Sequence, residues 1–68
     1  MSVFNLVTNE IINNAEIIIT DISGKQISRM TKDIKYQYAV DVSTLPDGSY
    51  IITLKSEKKS KNWRLIKI

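Results

Sequence analysis

The chain has no cysteine and no histidine, and only two glycines and one proline in 68 residues. Without cysteine, neither a disulfide framework nor a thiolate metal site can form. Without histidine, the commonest general base and the commonest metal ligand are both missing. Aromatic residues are few: three tyrosines, one tryptophan and one phenylalanine. Apolar runs such as Ile17-Ile18-Ile19 and Ile51-Ile52 fall far short of the ~20 residues a membrane-spanning helix needs. The opening Met1-Ser2-Val3-Phe4 has neither the basic start nor the apolar stretch of about 7–15 residues that marks a secretory signal.

What is present fits one small domain, residues 1–68. A chain this short buries only about 60% of its unfolded surface. Ordering it costs on the order of 100 kcal/mol, at about 1.5 kcal/mol per residue. Its core must therefore be efficient, or lean on a neighbouring domain. Ten Lys and Arg against seven acids give a formal charge of +3, less than a dedicated nucleic-acid binder of this size carries. Most of the excess lies in Lys55–Lys61, which reads first as a solvated hairpin loop and second as a patch for an anionic surface.

The hydrophobic period is two. Tyr36, Tyr38, Val40 and Val42 alternate with Gln37, Ala39, Asp41 and Ser43, and Tyr50, Ile52 and Leu54 with Ile51, Thr53 and Lys55; this is the pattern of half-buried strands. Further strands are expected at residues 2–8, around Ala15–Ile19, at Gln26–Met30 and at Asn62–Ile68. In the last of these both faces are partly apolar, so its inward side stays open. Asp21-Ile-Ser-Gly-Lys25 offers an Asx turn closed by Gly24, and Pro46-Asp47-Gly48 a second turn needing a positive φ. Asn13-Asn14 and Glu57–Lys61 fill the other corners. The expectation is all-β: a small immunoglobulin-like antiparallel sandwich of about six strands. Such sandwiches usually take about 100 residues and seven strands or more, so this is either a minimal version or one lacking its first strand. A missing strand would leave an unpaired edge able to pair two copies.

No catalytic constellation is visible. Asp21, Asp33, Asp41 and Asp47 sit at or near turns, where Asp bonds the local backbone. No Asp-x-Asp spacing supports calcium. Ser23 and Ser49 have no conventional partner base apart from lysine. Tyr36, Tyr38, Tyr50 and Trp63 could form a stacking platform for nucleic acid. Each tyrosine is in register with aliphatic residues of its own strand, however, so core duty is the better account. No enzyme, cofactor, metal or nucleic-acid partner is expected.

Three ordered stretches are more specific: Ala15-Glu-Ile-Ile-Ile-Thr-Asp-Ile-Ser-Gly-Lys-Gln-Ile27, Val40-Asp-Val-Ser-Thr-Leu-Pro-Asp-Gly-Ser-Tyr-Ile-Ile-Thr-Leu54 and Arg64-Leu-Ile-Lys-Ile68. Together they resemble the C-terminal sorting domain of cargo proteins exported by the type IX secretion system. That family shows a strand ending in Asp-x-x-Gly-Lys, then Gly-x-Tyr, then a closing basic-apolar strand. Asp21, Gly24 and Lys25 match the turn motif, Gly48 and Tyr50 the second, and Arg64, Lys67 and Ile68 the terminal one. Two departures are visible. The Asn-Pro pair that usually opens the family is absent, which suggests a displaced start at Met1, and Arg64 stands where Lys is more usual.

The resemblance implies a domain that serves as an address. Cargo attached upstream would pass through the periplasm of a Gram-negative bacterium. It would then reach the outer membrane, the cell surface or the medium through the type IX translocon. Sortase-like components would remove the domain, with attachment of the cargo to an anionic lipopolysaccharide as one outcome. The short basic strand also invites reading by strand addition. The alternative is an immunoglobulin-like accessory domain of a surface or secreted protein; the basic strand closing at Ile68 separates the two.

Overall fold

The computed structural model describes residues 3–68. Met1 and Ser2, where the displaced start and the first residue of the expected 2–8 strand fall, lie outside them. Four strands follow in order: β1 (Val3–Asp21), β2 (Gln26–Asp41), β3 (Gly48–Lys55) and β4 (Ser60–Lys67). They form one antiparallel sheet in the order β2-β1-β3-β4. The chain is all-β, as its alternation requires. The six-strand immunoglobulin-like sandwich is not what is found: four strands lie in a single continuous sheet.

Two pairs of expected strands prove to be single long ones. The segments near residues 2–8 and 15–21 are both β1, and Gln26–Met30 and Tyr36–Asp41 are both β2. Two irregularities in the β1–β2 ladder, between Val7 and Ile11 and between Ile12 and Ala15, insert three extra residues into β1. An odd insertion reverses which face is buried. Burial therefore passes from the even residue Leu6 to the odd residues Ala15, Ile17 and Ile19. In the sequence this reversal of parity resembles a chain break. Asn13-Asn14, expected as a corner, is the second bulge. Asn14 takes φ 54°, which asparagine tolerates better than most residues, and its N–H donates to Asp33 Oδ1 at 2.8 Å.

The bulges also bend the sheet. Nineteen residues of straight strand would span about 60 Å at ~3.3 Å per residue, yet the longest dimension of the molecule is 31 Å. The first half of β1 and the second half of β2 therefore turn back over the sheet's own face. Leu6, Ile34 and Val40 on that flap join Ile17, Ile19, Tyr50, Ile52 and Leu54 in one buried cluster. Across the gap, Phe4 meets Trp63 of β4 edge-to-face at 6.1 Å, and Lys59 meets Glu10 at 2.8 Å. Tyr36 does not join the core as expected. It stands opposite the first bulge with φ 72° and is 54% exposed, because the bend turns its backbone outward. Tyr38 is half-buried and Tyr50 fully so.

Candidate functional site

The three motif stretches converge on one end of the sheet. Asp21, at the end of β1, pairs with Tyr50 near the start of β3, and Tyr50 pairs in turn with Leu65 of β4. Two register steps away, Gly48 faces Lys67 directly. Residues that look like separate motifs in the sequence are thus ladder neighbours.

The Asp21–Lys25 turn forms as its residues dictate. Oδ1 of Asp21 accepts the Ser23 hydroxyl at 2.6 Å and the N–H groups of Lys25 at 2.9 Å and Ser23 at 3.0 Å. Gly24 takes φ 90° and donates to the Asp21 carbonyl, a conformation open to glycine without strain. Ser23's hydroxyl, then the Lys25 amide, hold the Asp21 carboxyl below its ordinary 3.8. The hydroxyl and amide of Ser43 do the same for Asp41. Groups lowered in the folded state stabilise it above their unfolded pKa, and that stabilisation is lost as pH falls through the folded value. Acid should therefore weaken the fold below about pH 4. In thermal unfolding from pH 6 to pH 2, Asp21→Asn should lower the neutral-pH midpoint and flatten the acid slope. Equal slopes for variant and parent would contradict this assignment.

At the other corner, the Tyr50 hydroxyl donates to the Pro46 carbonyl four residues back, as in the tyrosine corners of β-sandwich proteins. Gly48 has φ 155°, a positive value that side-chain-bearing residues rarely adopt. Space is not its constraint, since an added Cβ would stand 3.8 Å from the Tyr50 hydroxyl. Lys67 completes the corner. Its ammonium donates to the carbonyls of Val42 at 2.8 Å, Ser43 at 3.0 Å and Leu45 at 2.6 Å, so three donors meet three acceptors. Tyr50 and Lys67 together fasten residues 42–46 to the end of the sheet.

Arg64 and Ile68 do not enter this clasp. On β4, Trp63, Leu65 and Lys67 face inward, whereas Asn62, Arg64 and Ile66 face solvent, which settles the face the sequence left open. Ile68 is fully exposed. The terminal motif therefore divides between a fastening side and a displayed side. Sequence reasoning missed Ile66 on the displayed side and the 42–45 carbonyls that receive Lys67. Strict alternation from Trp63 pointed to the first; nothing local pointed to the second.

The Lys55–Lys61 run is mostly turn, as read. Ser56 N–H donates to the Lys59 carbonyl at 2.8 Å, with Glu57 and Lys58 at the tip, while Ser60 and Lys61 already belong to β4. Beside it a cleft of about 440 Å³ is lined by Thr8, Ile12, Leu54, Lys58 and Lys61 among others. No group of three or more acidic residues gathers to hold a metal among the described residues.

A family model described as the secretion system C-terminal sorting domain matches residues 1–68, the whole length of the chain. No curated protein and no solved structure matches it.

Proposed function

The chain belongs to the family of type IX secretion system C-terminal sorting domains, and we propose that it is a non-catalytic address that delivers an upstream cargo to the type IX outer-membrane translocon. Membership implies export across the outer membrane, to the surface or the medium. The route proposed runs through the periplasm, with the translocon and sortase-like components as partners. The observation that carries this reading is the gathering of all three motif stretches at one end of a single sheet. A recognition surface built from distant segments exists only when the domain is folded, so the address doubles as a test that folding is complete.

The test is a fusion of residues 1–68 to a reporter carrying its own N-terminal export signal, in a type IX-competent bacterium. The reporter is expected in the medium or on the surface, and as a high-mass ladder on gels if it is joined to lipopolysaccharide. A translocon-deficient strain should hold it in the periplasm. Retention in the competent strain, or equal release from both, would overturn the proposal. Deleting Arg64–Ile68 is a poor alternative, because it also removes Leu65 and the Lys67 clasp.

A further inference from the structure

The backbone of β4 is half used. In the β3–β4 hairpin every ladder pair keeps the same register, from Gly48↔Lys67 to Lys55↔Ser60. The Ser56 N–H bond to the Lys59 carbonyl fixes the phase of the ladder. Pairs that exchange hydrogen bonds alternate with pairs that do not. Counting from the turn, Lys61, Trp63, Leu65 and Lys67 point their N–H and C=O groups at β3. Asn62, Arg64 and Ile66 point theirs away from it. Because β4 pairs with β3 alone among the described residues, those groups line an open edge.

Proteins usually blunt such edges with proline, a bulge or an inward charge. β4 has no proline and no break in register; of the two lysines on its inward-facing side, Lys67 is spent on the 42–45 carbonyls and Lys61 stays exposed beside the turn. The residues that own the open edge also carry the displayed side chains. Arg64 is exposed and has no ion-pair partner among the described residues. Around it on the outer face stand Ile51, its ladder partner, and Ile66, 41% and 62% exposed, with Ile22 bordering the same shallow notch. An unpartnered guanidinium set among exposed isoleucines is matched by a carboxylate flanked by apolar side chains.

We propose that β4 is read by a strand of the export machinery that adds to its open edge, bearing an acidic residue against Arg64 and apolar residues against Ile51 and Ile66. Lys67 takes no part in that contact: it is a positioning residue that holds β4 in place. This rests on the address reading above and divides the terminal motif by role. Main-chain bonds from Arg64 and Ile66 supply affinity, and the alternating side chains supply selectivity.

The reporter fusion tests it, together with thermal unfolding of the same purified variants. Ile66→Pro removes an N–H that no strand among the described residues uses, and edge positions of this kind accept proline. It should keep a parent-like melting midpoint and lower export at least tenfold. Arg64→Glu should do the same by charge reversal, while Arg64→Lys keeps most export. Export of folded Arg64→Glu and Ile66→Pro at the parent level would overturn the inference and leave the address reading intact. Failure of the parent fusion itself would instead sink the address reading. Sedimentation separates a second occupant: a parent dimer that Ile66→Pro makes monomeric would assign the edge to another copy of the chain, which also overturns the proposal.

Discussion

Tyr50→Ala is expected to unfold the domain or bring it to the brink. The ring is 5% exposed and sits within the core cluster beside Ile52 and Leu54. Removing a buried large aromatic typically costs about 3–5 kcal/mol. A 68-residue domain holds roughly 3–10 kcal/mol in all, at about 0.05–0.15 kcal/mol per residue. Losing both the ring and its hydroxyl bond to Pro46 should leave little or no urea-resistant structure. Tyr50→Phe separates the two contributions. It keeps the ring, drops the hydroxyl and should cost about 1 kcal/mol. A urea midpoint for Tyr50→Ala close to that of Tyr50→Phe would mean that the ring does not anchor the corner. Export of the alanine variant should fall with its folded fraction.

The second large effect is expected at Lys67. Replacing it with Met preserves much of the stem's packing and removes the ammonium. The Ser43 and Leu45 carbonyls then lose the donor they have in Lys67, while Val42 keeps the Leu45 N–H at 3.1 Å. Hydrogen bonds to a charged group contribute about 1.5–3 kcal/mol each where they are shielded from water. Part of this cluster is exposed, so a net loss of about 2–3 kcal/mol is expected from the three together. Lys67→Arg should restore only part of it, since a planar guanidinium cannot converge on three carbonyls as a compact ammonium does. Chemical denaturation of the three proteins reads this directly. A Lys67→Met variant as stable as the parent would show that the clasp contributes nothing. By contrast, substitution at exposed Arg64 should change stability by no more than about 0.5 kcal/mol. Two basic residues three apart on one strand are thus expected to have opposite signatures, one in folding and the other in export.

Much of this was legible from local pattern. β3 and β4 fall close to their expected places, since alternation within about eight residues is enough to define a strand with one face buried. The Asp21–Lys25 turn follows from the reach of an Asp side chain to amides two and four residues on, with glycine where φ is positive. Tyr50 as a core anchor follows from its place in register with Ile52 and Leu54. β1 and β2 were not legible as continuous strands. Their bulges interrupt the alternation at Thr8–Glu10 and Asn13-Asn14, and an interrupted period looks the same as a loop. Tyr36 was misplaced for the same reason, since the period predicts burial for a residue that the bend exposes.

The amino-acid order by itself determined that the chain is all-β, where the Asp21–Lys25 and Pro46–Gly48 turns fall, and the family to which it belongs. These depend on interactions a few residues apart. Tertiary structure alone decided that six segments are four strands, that the sheet closes on its own face, and which side of β4 is displayed. It also gave Lys67 its acceptors, 22 to 25 residues away in the chain. Separation in sequence is the physical reason. An ammonium can find three carbonyls only after two distant strands have paired in a single register, and no local pattern records which distant partner that register brings near.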